Sequence, residues 1–203
     1  MCRAQGTKLF LKGERCLTPR CAIERRKAAP GPHAGAAGAR RRRPSDFGLH
    51  LKEKQKARWI YGVLERQFSK QFVTASKAPG VTGAILMQLM ERRLDNVLYR
   101  LGHGESRSKS RQIVTHGHIL VNDKKVAIPS FIVKQGDRVS WSETSKKTEL
   151  YKLSSAIAGK RSVPRWLRPG KDGMEAEVIS LPLPADIDTT VDTRLITEYY
   201  SKR

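Results

Sequence analysis

Residues 106 to 123, SRSKSRQIVTHGHILVND, bring a helix start, three Lys or Arg and two histidines together. Ser106 suits an N-cap, and a capped helix start offers free N–H groups and a positive dipole end to phosphate. Arg107 and Arg111, one helical turn apart, add planar forks matched to phosphate oxygens. At 100° per residue Ser110, Ile113 and Val114 fall on one arc, while Arg107, Ser108, Arg111, Gln112 and Thr115 fall on the next. One face is therefore core and the other polar and cationic. His116 and His118 flank Gly117, where their rings can donate to phosphate or ribose, or one can simply close the helix. As a metal pair they lack nearby carboxylate or thiol partners other than Asp123.

Charge favours the phosphate reading. Forty Lys plus Arg against nineteen Asp plus Glu leave a formal charge of +21 on 203 residues, and a repulsion that large calls for a polyanion. Residues 1–58 carry 16 Lys or Arg against 4 acids, whereas 174–200 carry one Arg against six acids. The segment 28–44, AAPGPHAGAAGARRRRP, cannot bury a face and reads as an extended arm whose Arg40, Arg41, Arg42 and Arg43 sit against phosphate. Only 38% of the chain is hydrophobic, and its longest apolar run is far too short for a bilayer, so neither a membrane partner nor a signal peptide is expected. A cytosolic location follows, with the three cysteines as thiols or metal ligands.

The elements that position this stretch are mostly legible. Ser45 opens a basic helix closed by Gly62. Leu64, Phe68 and Phe72 make the core stripe of a second helix, which stops at Pro79-Gly80. Thr82 caps a third, long helix whose apolar period runs through Leu101 to Gly102. After the helix at 106–116, short β-branched runs separated by turns (ILVN, KVAI, FIVK, VSW) give three or four antiparallel strands. Ser110, on the core arc, is expected to bond back to a helix carbonyl. NDKK departs from the Asn-Gly of a tight hairpin and leaves the turn type open. The acidic tail reads as short strands and a terminal helix suited to protein contact or to packing on the rest of the chain.

RRLDNVLYRLG, followed by SRSKSRQIVTHGHILVNDKKV and GDRVSW, resembles the bacterial small-subunit ribosomal protein four family. KLFLKGERC, RRRPSDFGLHLKEKQKARWIYGVLERQF and ITEYYSKR extend the likeness over nearly the whole chain. The resemblance implies an α+β fold: a helical body (45–91) with an inserted RNA-binding module of two helices and a β-meander (92–153). An N-terminal cysteine knuckle and basic arm (1–44) would precede it, and a return segment (154–203) would pack on the body. It implies a non-catalytic protein that binds 16S ribosomal RNA early in assembly and lines the messenger RNA entry region beside small-subunit protein five. The RNA-facing set becomes Ser106, Arg107, Arg111, Gln112, His116, His118, Asn122 and Lys124, joined by Arg92, Arg93 and the arm arginines.

A rival class shares the module. Pseudouridine synthases use the aspartate of an RLD triplet as nucleophile, and Arg93-Leu94-Asp95 matches it, but only over three residues. Asp95 reads instead as a mid-helix partner of neighbouring arginines, whose replacement by Asn costs about 1 kcal/mol as for a partly exposed pair. Cys2, Cys16 and Cys21 resemble a metal knuckle one ligand short. The expected fourth ligand is a cysteine just upstream of Met1, with His33 as the alternative and a metal-free knuckle as a third reading. Zinc is favoured over an iron–sulfur cluster.

Overall fold

The computed structural model describes residues 1–26, 28–31, 45–159, 161–187 and 190–201. His33 and Arg40 to Arg43 lie outside the described residues. The helices are α1 (Cys2–Gln5), α2 (Ala22–Arg25), α3 (Asp46–Tyr61), α4 (Glu65–Lys77), α5 (Thr82–Glu91), α6 (Leu94–Arg100), α7 (Arg107–Thr115), α8 (Glu143–Lys146), α9 (Glu149–Ile157) and α10 (Thr193–Ser201). The strands are β1 (Ile119–Val121), β2 (Lys124–Lys125), β3 (Arg138–Trp141), β4 (Leu167–Pro169) and β5 (Ala176–Val178). The chain divides into two compact units, Met1–Phe72 with Thr190–Arg203, and Val73–Thr189.

The first unit is built on α3. Ser45 Oγ accepts from Gly48 N, and Gly62 closes the helix at φ 63°, a left-handed position at which glycine avoids a Cβ clash. The terminal helix α10 packs along α3, where Lys54 lies over the Tyr199 ring and pairs with Glu65, and Tyr200 stacks on Phe72. Phe68 is buried as expected, but Leu64 is 71% exposed. It precedes α4, and its carbonyl accepts the first helical bond, from Phe68 N.

The second unit holds the larger core. Its five-stranded antiparallel sheet, in the order β2-β1-β3-β5-β4, packs Ile119, Val139, Trp141 and Val178 with Leu94, Leu98 and Ile113 of the helices. The expected module ended at residue 153, yet β5 pairs with β3, so residues 167–178 complete the module's sheet. Only α10 returns to the first unit. Apolar alternation at Ala176 and Val178 gives those residues a sheet face to cover, and β3 offers them a free edge.

Three local expectations change. Thr82 is the first residue of α5 and Val81 occupies the cap position. The long helix breaks at Arg92-Arg93, because Leu94 N and Asp95 N donate to Phe131 O and Pro129 O and Arg93 bridges Ile132. FIVK therefore lies against this break rather than forming a sheet strand. The turn between β1 and β2 holds Asn122 at φ 49° and Asp123 at φ 62°, the mark of a type I′ hairpin with Asp in the place Gly usually takes.

Candidate nucleic-acid interface

The break between α5 and α6 is the foundation of the site. It gathers Glu91, Arg93, Asp95, Asn96 and Arg100, all at most 9% exposed. Arg93 donates to Asp95 through Nε (3.1 Å) and Nη2 (2.8 Å), a bidentate fork. Asp95 Oδ1 also accepts from Asn96 N, and its Oδ2 accepts from Arg111 Nη1 at 3.2 Å. Glu91 is gripped by Arg100 through Nε (2.9 Å) and Nη2 (2.8 Å), and it accepts from Asn96 Nδ2 at 2.7 Å. Asn96 Oδ1 then accepts from Arg107 Nε at 2.8 Å.

Asp95 and Asn96 thereby hold the two arginines of α7. Arg111, its side chain 42% exposed, is tethered by Asp95, and Arg107 is tethered by Asn96 while its guanidinium lies 4.3 Å from the centre of the Tyr99 ring. Each arginine surrenders part of its rotamer freedom before any ligand arrives, which lowers the ordering cost of a phosphate contact. The helix is capped as the sequence suggests: Ser106 Oγ accepts from Lys109 N, and Ser110, Ile113 and Val114 face the core. Ser108, Lys109, Gln112 and Thr115 are exposed on the other side. Ser110 differs from expectation, since its buried Oγ has no hydrogen-bond partner among the described residues.

At the far end, His116 is the exposed C-cap residue and Gly117 turns the chain at φ 73°. A Cβ at Gly117 would meet Lys125 Cε at 2.4 Å, so the lysine lies directly over this glycine. The His116 and His118 rings are 6.0 Å apart. His118 Nδ1 is 2.8 Å from Ser145 Oγ, and its ring stacks on Trp141. Burial, with smaller contributions from His116 and Lys125, pushes the His118 pKa below its ordinary value, which keeps the ring neutral and able to donate or accept.

The remaining predicted residues divide. Lys124 is exposed on the hairpin. Asn122 spends its amide on the fold, donating to Asp137 Oδ1 at 2.8 Å and accepting from Arg138 N at 2.9 Å. Arg92 donates to Val133 O, and burial lowers its pKa against the opposing pull of Asp137. Arg93, 1% exposed and bound to Asp95, faces the interior and offers no fork to a phosphate. Lys109, Lys125 and Tyr99 belong to the same surface and were absent from the sequence-based set. Helical arc alone marks Lys109 as solvent-facing, whereas the places of Lys125 and Tyr99 depend on the hairpin and on α6.

Asp95 is equally ill placed as a nucleophile. It is 3% exposed, stands in the first turn of α6 rather than mid-helix, and its oxygens accept from Arg93, Arg111 and Asn96 N. In the first unit, Cys2, Cys16 and Cys21 line one cavity of about 370 Å³, and Cys16 Sγ accepts from Lys12 N at 3.3 Å. Among the described residues no group of three or more His, Cys, Asp or Glu is arranged to hold a metal ion. Among the described residues no helix is long and apolar enough to cross a membrane.

Comparison with known proteins agrees with the geometry. Residues 1–91 match the model of the ribosomal protein S4/S9 N-terminal domain, and residues 92–139 match that of the S4 domain. The small ribosomal subunit protein uS4 of Clostridium tetani is 52% identical over 202 residues, covering 100% of this chain and 95% of that protein. The chain belongs to the uS4 family. The uS4 proteins of Ruminiclostridium cellulolyticum and Halothermothrix orenii are 48% and 46% identical over the same share of both chains. The S4 domain match ends at residue 139, before β4 and β5, although those strands continue its sheet here. The α5–α6 break that orients Arg107 and Arg111 straddles the junction of the two family models at residues 91 and 92.

Proposed function

We propose that this chain is a non-catalytic, structural constituent of the small ribosomal subunit and binds 16S ribosomal RNA directly. One observation carries the site assignment: Arg107 and Arg111 stand on the exposed face of a capped helix, tethered by Asn96 and Asp95. A rigid, two-pronged cation of this kind contacts backbone phosphates and so recognises the shape of a folded RNA. His116, His118, Lys124 and Lys125 extend the contact along the hairpin, and the arm arginines 40–43 supply further phosphate contacts.

The test is filter binding of a 16S RNA transcript at several salt concentrations. Changing Arg107 and Arg111 to Ala removes about two phosphate contacts and should flatten the salt slope by roughly 1.4 to 1.8. An unchanged slope in a folded double variant would refute the site. Within cells, crosslinking followed by RNA sequencing should peak on 16S RNA, and a broad spread over messengers or transfer RNAs would overturn the functional reading.

Finer parts of the reading rest on the family resemblance. They are nucleation of subunit assembly, a place at the messenger RNA entry region with an effect on translational accuracy, and contact with small-subunit protein five. Crosslinks from purified subunits to messenger RNA and to protein five test them, and the absence of both would remove these parts. A zinc ion on Cys2, Cys16 and Cys21 belongs to the same reading and rests on the family resemblance of those cysteines; they line one cavity but are not arranged as a metal-holding group among the described residues. Elemental analysis of the purified protein should find about one zinc per chain, lost on replacing Cys16 by Ser. A metal-free chain would end that assignment.

A further inference from the structure

A second guanidinium shares the Tyr99 ring. Arg161 lies with Cζ 4.1 Å from the ring centre, and Arg107 Cζ lies 4.3 Å from it, so both cations sit against the same ring. The segment that carries Arg161 is seated at the end of α6. A Cβ on Gly102, which has φ 81°, would stand 3.7 Å from Ala158 Cα, Ile157 O and Arg161 Cβ. Arg161 Nη1 donates to Tyr99 O at 2.7 Å, and its Nη2 reaches Glu105 O at 3.4 Å. Both acceptors are backbone carbonyls. Those bonds use two of the five N–H donors a guanidinium carries. Among the described residues no carboxylate pairs with Arg161.

Arg161 is thus a fixed, half-buried cation that no carboxylate pairs among the described residues, beside a second arginine. A cation held without a paired carboxylate is stabilised by an anion placed beside it. The ring faces attract both cations but do not neutralise them. From the proposed 16S RNA reading, on which this inference rests, we propose that Arg161 binds a backbone phosphate of the same RNA. Arg107, Tyr99 and Arg161 would then form one phosphodiester clamp at the start of α7. The clamp draws on a residue beyond the matched S4 domain, which ends at 139.

The experiment is the salt titration of 16S transcript binding by the full chain, with Arg161→Ala and Arg161→Gln alongside the Arg107/Arg111 double Ala variant. Gln removes the charge while keeping a polar side chain with an amide donor, and circular dichroism checks that each variant is folded. Each Arg161 variant should lose one counterion-release unit, a slope flattened by roughly 0.7 to 0.9, with weaker binding at every salt concentration. An unchanged slope in either folded Arg161 variant overturns the clamp. If the double Ala variant also keeps its slope, the RNA reading of α7 falls together with the clamp. If only the Arg161 variants keep theirs, the α7 reading stands without it.

Discussion

Replacing Asp95 by Asn tests whether the α5–α6 break is a closed ionic corner. Treated as a partly exposed pair, the carboxylate is worth about 1 kcal/mol. The structure places it in a different regime. Arg93, 1% exposed, has Asp95 as its bidentate partner, and Asp95 itself is 3% exposed. Removing one partner of a buried pair leaves an uncompensated charge in the interior, and such losses run about 3 to 5 kcal/mol. Asn retains one oxygen for Arg93 Nε or Asn96 N, and the Arg111 contact, with that side chain 42% exposed, adds little. The expected cost is therefore about 3 to 4 kcal/mol. With a urea m-value of about 2 kcal/mol/M, the unfolding midpoint should drop by roughly 1.5 to 2 M. Fluorescence of Trp141 and Trp166, at 1% and 0% exposure, reports on the affected unit. A double variant, Arg93→Met with Asp95→Leu, should recover much of the loss, because two apolar side chains replace the pair without stranding a charge. A loss under 1 kcal/mol for Asp95→Asn, or no recovery in the double variant, would mean that water screens the corner.

Two further outcomes concern the same unit. Ser110→Ala removes a buried hydroxyl that has no partner among the described residues and raises helix propensity, so it should stabilise by about 1 to 2 kcal/mol, and a lower urea midpoint would refute this. His103 Nε2–H donates to Gly173 O (3.0 Å) and its Nδ1 accepts from Trp141 Nε1 (3.3 Å), and burial lowers its pKa from 6.5 to about 4, with the Gly173 bond opposing. The unfolded chain takes up this proton first as pH falls, so the stabilisation is complete above pH 6.5 and is lost progressively down to pH 4, by about 3 kcal/mol in all. His103→Gln should flatten that part of the profile in pH-dependent urea titrations; an unaltered slope would show that other groups set it.

The sequence by itself determined the partner class, the helix with its two faces, and most element starts. These follow from quantities local in the chain: a +21 charge, a 3.6-residue period at 107–115, and caps at Ser45 and Ser106 confirmed by their side-chain bonds. Tertiary structure decided the break at Arg92-Arg93, since the apolar period runs unbroken through it and only the distant carbonyls of Pro129 and Phe131 compete for the amides of Leu94 and Asp95. It also decided which arginines face outward. Arg93 and Arg111 are the same residue type, yet one is buried under Asp95 and the other is presented by it, a distinction set by backbone direction at the break. The attachment of residues 167–178 to the β-meander, and of Arg161 to Tyr99, joins segments far apart in sequence. Short strands of three or four residues carry too little pattern to name their partners, and only the shared core under β3 and β5 assigns them.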